Sequence, residues 1–178
     1  DASGDGTAEA VRQLFPEVEL IVLAENQGYA RASNRGARAA TRPYLFLLNA
    51  DTRVEEGALE ALLGFLGKES SYAACAPRLR DPDGSTQRAC MRFPNLVTPC
   101  CFGTPLERGW PACPELARYF GRDFDHEHDA DVEQPPAAAL LVRRAEFLEL
   151  GGFDERLPLF FNDVDLCKRL AEGGRRVR

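Results

Sequence analysis

The chain has 178 residues, 44% of them hydrophobic and 28% charged, and carries a net charge of −6. That length and balance describe one ordinary globular domain and exclude a chain that is disordered throughout. The negative charge argues against a nucleic-acid binder, which needs a basic face for phosphates, and no apolar run approaches the ~18 residues of a membrane-crossing helix.

In chain order, Asp5 or Thr7 is placed to cap a helix running to about Phe15. Residues 18–23 (VELIVL) form a short β-branched apolar run that predicts a strand. Residues 28–40 are rich in Ala and Arg and predict a helix. Residues 44–48 (YLFLL) are fully apolar, which predicts a central parallel strand covered on both faces. Residues 55–66 place Leu59, Leu62, Leu63 and Leu66 on one helical face, and residues 72–77 predict a further strand. This β–α–β–α–β rhythm belongs to a parallel α/β sheet.

Between residues 81 and 136 the rhythm stops, with a DPDG turn signal at 81–84. A segment of that length without regular elements is expected to be mobile or functional. Order resumes with a strand at 137–142, a short helix at 144–150 stopped by Gly151-Gly152, and a last helix at 164–171. Residues 175–178 read as the opening of another strand. Both ends of the chain are therefore expected to be cut from a larger fold. The polar opening residues carry no secretory signal, and six cysteines without a CxxC pair read as reduced thiols, so a cytoplasmic location is expected. Cys75 and Cys167 lie in apolar contexts that predict core positions.

Three acidic clusters are expected at the ends of predicted strands, outside which ligands bind in open parallel sheets. The first, residues 1–7 (DASGDGT), can accept from the N–H groups of a base, or simply turn the chain into a helix. In the second, Asn49-Ala50-Asp51, alternate residues of an extended chain share a face, so two oxygen side chains point the same way. Such ligands suit Mg2+ or Mn2+ brought in with a diphosphate; a helix cap is the plain alternative. The third, Asn162-Asp163-Val164-Asp165, follows Phe160-Phe161, and a carboxylate there can act as a general base or as an N-cap.

The order of these pieces resembles the inverting family 2 glycosyltransferases of GT-A fold, and most closely their bacterial rhamnosyltransferase branch. The matching stretches are DASGDGT, ENQGYARASNRGARAA, YLFLLNADT, PRLRDPDGSTQRACMRFPN and AALLVRRAEFLELGGFDERLPLFFNDVDLCKRL. The resemblance implies a Rossmann-like mixed sheet with a parallel centre, flanked by helices. It implies a nucleotide-sugar-binding half over 1–78, an irregular and mobile segment over 79–136 in the acceptor region, and a half carrying the catalytic base over 137–178. Asp1 resembles the contact to the pyrimidine base. Asp51 resembles the last Asp of the metal-binding DxD motif, with Asn49 where many members have the first. Asn26, Gly28 and Asn34 match a loop and helix near the diphosphate, and Arg31 is a candidate diphosphate contact.

Asp163 resembles the base that deprotonates the acceptor hydroxyl, with Asn162 where a Glu is common; Asp165 is expected to support the helix start. The implied partners are a nucleoside-diphosphate sugar and a glycan or lipid-linked acceptor in bacterial cell-surface polysaccharide synthesis. The basic stretch 168–178 is itself a candidate contact with anionic head groups at the inner face of the membrane, with a solvated helix face as the favoured alternative. The acidic run 123–131, with His126 and His128, reads as a solvated loop. Two rival readings remain at this point: a nucleotidyltransferase of similar sheet architecture, and a non-catalytic glycan- or nucleotide-binding relative, kept open by Asn49 and Asn162.

Overall fold

A computed structural model of the chain describes residues 2–110, 112–157 and 160–178. Its centre is a four-stranded sheet of β1 (Tyr44–Leu48), β2 (Tyr72–Cys75), β3 (Ala139–Arg143) and β4 (Arg176–Val177), in the order β1-β3-β2-β4. β3 runs antiparallel to both β1 and β2, and β4 runs parallel to β2. Strands β1, β2 and β4 therefore share a direction, as the alternating rhythm predicts, but β3 lies inserted between the first two. The expectation that β1 is a parallel, central strand is corrected: its neighbour is antiparallel, and its other edge has no partner among the described residues. Local periodicity reads a strand's faces and is blind to which strand lies beside it.

The pleat of β1 sets the layers. Leu45 and Leu47 face a core shared with Ala30 and Ala37 of α2 (Tyr29–Ala39), Phe147 of α7 (Arg144–Glu149), and Leu166, Cys167 and Leu170 of α8 (Asn162–Glu172). Tyr44 and Phe46 face the other way, toward Leu59, Leu62, Phe65 and Leu66 of α3 (Ala58–Lys68). Leu63, expected on that same helical face, is 36% exposed, and Phe65 packs instead. Cys75 and Cys167 are buried, as their contexts predict.

Residues 18–23 do not form a strand. Leu23 is buried, but no ladder partner meets this segment among the described residues, so its β-branched run builds no strand. α1 (Thr7–Leu14) forms where expected; Asp5 Oδ1 accepts from the Thr7 backbone N–H at 3.0 Å and from its hydroxyl at 2.6 Å.

The stretch without periodicity contains three short helices, α4 (Thr98–Cys101), α5 (Pro105–Gly109) and α6 (Pro114–Tyr119). Cys101, Cys113, Leu116 and Phe120 give them a small apolar cluster of their own. The segment closes on itself through Met91 N–H to Gln134 O at 3.0 Å and is tied to the sheet by Val132 N–H to Val177 O at 3.0 Å. His126 departs from the solvated-loop reading: it is 7% exposed, and its Nε2 accepts from the Cys90 N–H at 3.2 Å. Its Nδ1, 3.0 Å from Phe124 O, is then the protonated nitrogen of a neutral ring. His128 is exposed and pairs with Asp125 at 2.8 Å.

The basic end is largely spent on internal partners. Arg169 binds Asp165 and the carbonyls of Leu150 and Gly152. Arg175 binds Glu146, and Arg176 binds Asp131. Those arginines are held by internal partners, with the Arg176 side chain still half exposed. Among the described residues, no helix is long and apolar enough to cross a membrane.

Candidate active site

The carboxyl end of β1 and the start of β3 lie side by side, because Leu48 pairs with Ala139 in an antiparallel register. The chain leaves β1 through the turn Asn49-Ala50-Asp51-Thr52. The Asn49 N–H donates to Ala138 O at 2.9 Å, the Thr52 N–H donates to Asn49 O at 3.1 Å, and Thr52 Oγ1 donates to Ala138 O at 3.4 Å. Backbone groups thus hold the turn while the Asn49 and Asp51 side chains stand exposed, without a hydrogen-bond partner among the described residues.

Asp163 arrives at the same place from the other end of the sequence. It sits in the first turn of α8 and accepts from the Val164 N–H at 2.9 Å through Oδ1 and from the Ala137 N–H at 3.3 Å through Oδ2. The residue that opens α8, Phe161, has φ 64° and ψ 9°. A bulky side chain in this left-handed region costs roughly 1–3 kcal/mol and survives where the surroundings demand it, often at functional sites. Here it turns the chain so that Asp163 faces the β3 end.

Two phenols complete the surroundings of Asp163. The Tyr29 hydroxyl donates to Ala137 O at 3.4 Å, and its ring lies 5.6 Å from that of Phe153. The Tyr29 pKa is raised, first by burial, against a bond with Ser33 that lowers it, and then by the Asp163 charge. Tyr119 is raised by burial first and then by Asp163. The dipeptide Ala137-Ala138 is therefore the meeting point of the Asn49–Thr52 turn, the start of α2 and the start of α8.

The other predicted residues divide. Asn26 Oδ1 accepts from the Gly28 N–H at 3.0 Å, and Gly28 has φ 81°, a conformation that favours glycine and delivers the chain into Tyr29. Arg31 stands roughly half a turn around α2 from Tyr29, since successive helical residues step by about 100°. It faces Glu155, at 3.5 Å, and not Asp163. Asn34 does not reach a cleft. It is 2% exposed; its Nδ2 donates to Phe153 O at 2.9 Å and its Oδ1 accepts from the Phe153 N–H at 2.8 Å. Asn34, expected on a helix near the diphosphate, is here a packing amide that locks α2 to the turn after α7. Asp165 is bound to Arg169 at 2.9 Å, and Asn162 is buried. Asp1 lies outside the described residues.

Sequence reasoning missed Tyr29, Thr52, Tyr119 and the Ala137-Ala138 dipeptide. Gly28 was the available signal for Tyr29, because a residue placed directly after an obligatory turn is held in a fixed direction.

Among the described residues, no three His, Cys, Asp or Glu side chains gather closely enough to cage a metal ion. Asp51 and Asn49 nonetheless fit an ion that keeps most of its ligands as water and phosphate oxygen, because such an ion needs only one or two protein oxygens. A cavity of about 280 Å3 reaches Pro136, the residue before Ala137, and is bordered by Arg78, His126 and Arg178. Arg78 is paired with Glu127, and Arg178 lies 3.5 Å from Asp129.

A mixed sheet between helical layers, with its candidate site beyond the end of β1, is the GT-A arrangement. The fold is shared with the mannosyltransferase of Pyrobaculum calidifontis solved in complex with GDP-Man and Mn2+, at a TM-score of 0.61 and 18% identity, over 99% of this chain and 42% of that one. The chain belongs to glycosyl transferase family 2, whose pattern matches residues 1–136. An N-acetylglucosaminyl-diphospho-decaprenol L-rhamnosyltransferase of Mycobacterium tuberculosis is 32% identical over 185 residues, 98% of this chain and 60% of the relative. A pre-mycofactocin glycosyltransferase of the same organism is 30% identical over 163 residues, 91% of this chain and 30% of the relative. The chain thus spans about three fifths of the first relative and less than a third of the second.

Proposed function

We propose that the protein is an inverting glycosyltransferase that moves a sugar, of rhamnosyl or related type, from a nucleoside-diphosphate donor to a lipid-linked or glycan acceptor in bacterial cell-surface polysaccharide synthesis. The observation that carries this reading is the convergence of Asp163 and the Asn49–Thr52 turn on Ala137 and Ala138. Inverting transfer needs a base for the incoming hydroxyl and neutralisation of the departing diphosphate, set on either side of the sugar. The chain supplies a fixed carboxylate for the first and an exposed Asp51 beside Asn49 for the second. The family membership and the decaprenol-linked rhamnosyltransferase relative favour this assignment over a nucleotidyltransferase.

In this scheme the acceptor hydroxyl is held by Asp163, which takes its proton as the oxygen attacks the anomeric carbon and the bond to the diphosphate breaks. Asp51 and Asn49 would hold a divalent cation, Mg2+ or Mn2+, at the diphosphate end of the donor, where it would supply charge neutralisation for the leaving group. Asn26 and Gly28 shape the loop beside it, and Asp1 meets the base. Arg31 is a diphosphate contact only if it exchanges Glu155 for the donor. Residues 79–136 form the acceptor side, where the cavity reaches Pro136. Free cysteines fit a cytoplasmic setting, and a lipid-linked acceptor would bring the protein to the inner face of the membrane.

The test is a panel of nucleotide sugars incubated with Mn2+ and a polyprenyl-diphosphate-linked sugar, with release of nucleoside diphosphate as the readout. One donor should give acceptor-dependent release. Metal-dependent nucleotide binding with no transfer from any donor would favour a non-catalytic relative.

A further inference from the structure

Cys101 closes α4 and Cys113 stands at the N-cap of α6. Their Sγ atoms lie 3.6 Å apart, and the residues are 7% and 2% exposed. The two thiols touch inside the small cluster that joins these helices, with Leu116 and Phe120 around them. The eleven residues between them include α5, none of whose residues is buried, so the connection can yield without disturbing a core. Neither thiol belongs to the site around Asp163.

The two sulfurs differ in character. Backbone N–H groups of α6 face Cys113: the Leu116 contact is the largest influence and lowers its pKa, burial opposes it, and the contact with Cys101 lowers it further. Cys101 is pushed up, first by that same contact. Elsewhere burial raises Cys90 to about 11 and Cys75 to about 12, and Cys167 is raised too. Of the thiols whose acidity is clearly moved, Cys113 is the one moved down. Two thiols in direct contact are the arrangement in which a sulfur that has reacted with a small disulfide is resolved by its neighbour.

We propose that Cys101 and Cys113 form a redox-active dithiol that closes to an intrachain disulfide with a low-molecular-weight disulfide as oxidant. When the α5 connection yields and opens the pair, the Cys113 thiolate attacks one sulfur of the oxidant, forming a mixed disulfide and releasing one thiolate. Cys101 then loses its proton and attacks the Cys113 sulfur, releasing the second thiolate. Two protein thiols are oxidised, one small disulfide is reduced to two thiols, and the new S–S bond joins α4 to α6. Closure moves the sulfurs from 3.6 Å to the roughly 2.05 Å of a disulfide. Its consequence falls on the neighbouring stack, because Phe102 follows Cys101 and its ring lies 5.5 Å from that of Tyr119, which feels Asp163.

The experiment exposes the reduced protein to oxidised glutathione, blocks remaining thiols with N-ethylmaleimide, and maps tryptic peptides without reduction. Cleavage after Arg92, Arg108 and Arg118 separates 93–108, with Cys101, from 109–118, with Cys113. The Cys100→Ala variant removes the exposed neighbour that would confuse the assignment, at a position that needs no repacking. Linked 93–108 and 109–118 peptides are expected in both proteins, and Cys101→Ser should instead retain glutathione on Cys113. All thiols remaining open to the maleimide, a lasting glutathione adduct on Cys113 with Cys101 present, or linkage lost with Cys100→Ala would each overturn the proposal.

Discussion

Asp163 Oδ2 takes a hydrogen bond from the Ala137 N–H at 3.3 Å across 26 residues of sequence, and the next residue, Ala138, accepts from the turn that carries Asp51. A carboxylate on α8 and one after β1 are thereby held on a single peptide segment at the start of β3. Because β3 pairs with β1 along its whole length, the Asp163 carboxylate and the backbone of the turn that carries Asp51 share one anchor. Preorganisation of this kind is what makes charged groups effective in a reaction that builds charge at two places.

Asp51 is exposed and unpartnered among the described residues, so its loss should not cost the fold. Asp51→Ala is expected to keep the melting temperature of the free protein while removing the stabilisation that nucleoside diphosphate and Mn2+ give together. Stabilisation by a ligand scales with its affinity, so thermal shifts with and without metal read this directly. An unchanged shift in the variant would remove Asp51 from the diphosphate site.

Asn34 predicts the opposite pattern. Asn34→Ala strips the Phe153 N–H and C=O of their buried partners, which should cost about 2–4 kcal/mol of stability. Gly152→Ala should act on the same contact, since an added Cβ would meet Asn34 Oδ1 at 2.2 Å in a backbone with φ +80°. Urea denaturation measures both. Donor affinity of the Asn34→Ala protein that remains folded should be little changed; a large selective loss would return Asn34 to the donor site.

Much of this was legible beforehand, and the boundary is physical. The helix at 28–40 and the strand at 44–48 follow from apolar spacing within a dozen residues, and both form with ends shifted by a residue at most. Residues 18–23 carry the same local signal, yet a strand exists only with a partner, and none meets them among the described residues. Asn34 looks like a polar ligand in isolation, and only Phe153, 119 residues away, reveals it as a packing group. Tyr29 is joined to Ala137 across 108 residues, a relationship no period records. Asp163 stood out for its chemistry; what holds it could be read only from the fold.

Acid should loosen the α4–α6 unit before the sheet. Glu115 is held down to about 2, first by Arg118 and then by the Thr98 hydroxyl, with Asn95 adding to the bond network. A carboxyl whose pKa is depressed in the fold stabilises it above the ordinary value near 4.5 and loses that contribution as pH falls toward 2. Fluorescence of Trp110, the single tryptophan, should report a transition in that window. Glu115→Gln should weaken the unit at neutral pH and flatten the acid response; a flat wild-type profile from pH 5 to 2 would contradict the assignment.

The general-base assignment is tested most directly by turnover in Asp163→Asn, which keeps shape and removes the proton acceptor. With the donor identified, the variant should lose roughly 10²-fold or more in kcat, the usual worth of a positioned base, while donor KM stays nearly constant because the base acts on the acceptor. Asp165→Asn, which removes the carboxylate that orients Arg169 one turn further along α8 toward the Leu150 and Gly152 carbonyls, should lower the melting temperature and leave kcat within a few-fold. Near-normal kcat in Asp163→Asn would contradict the account, and a large loss confined to Asp165→Asn would move the base to the other carboxylate.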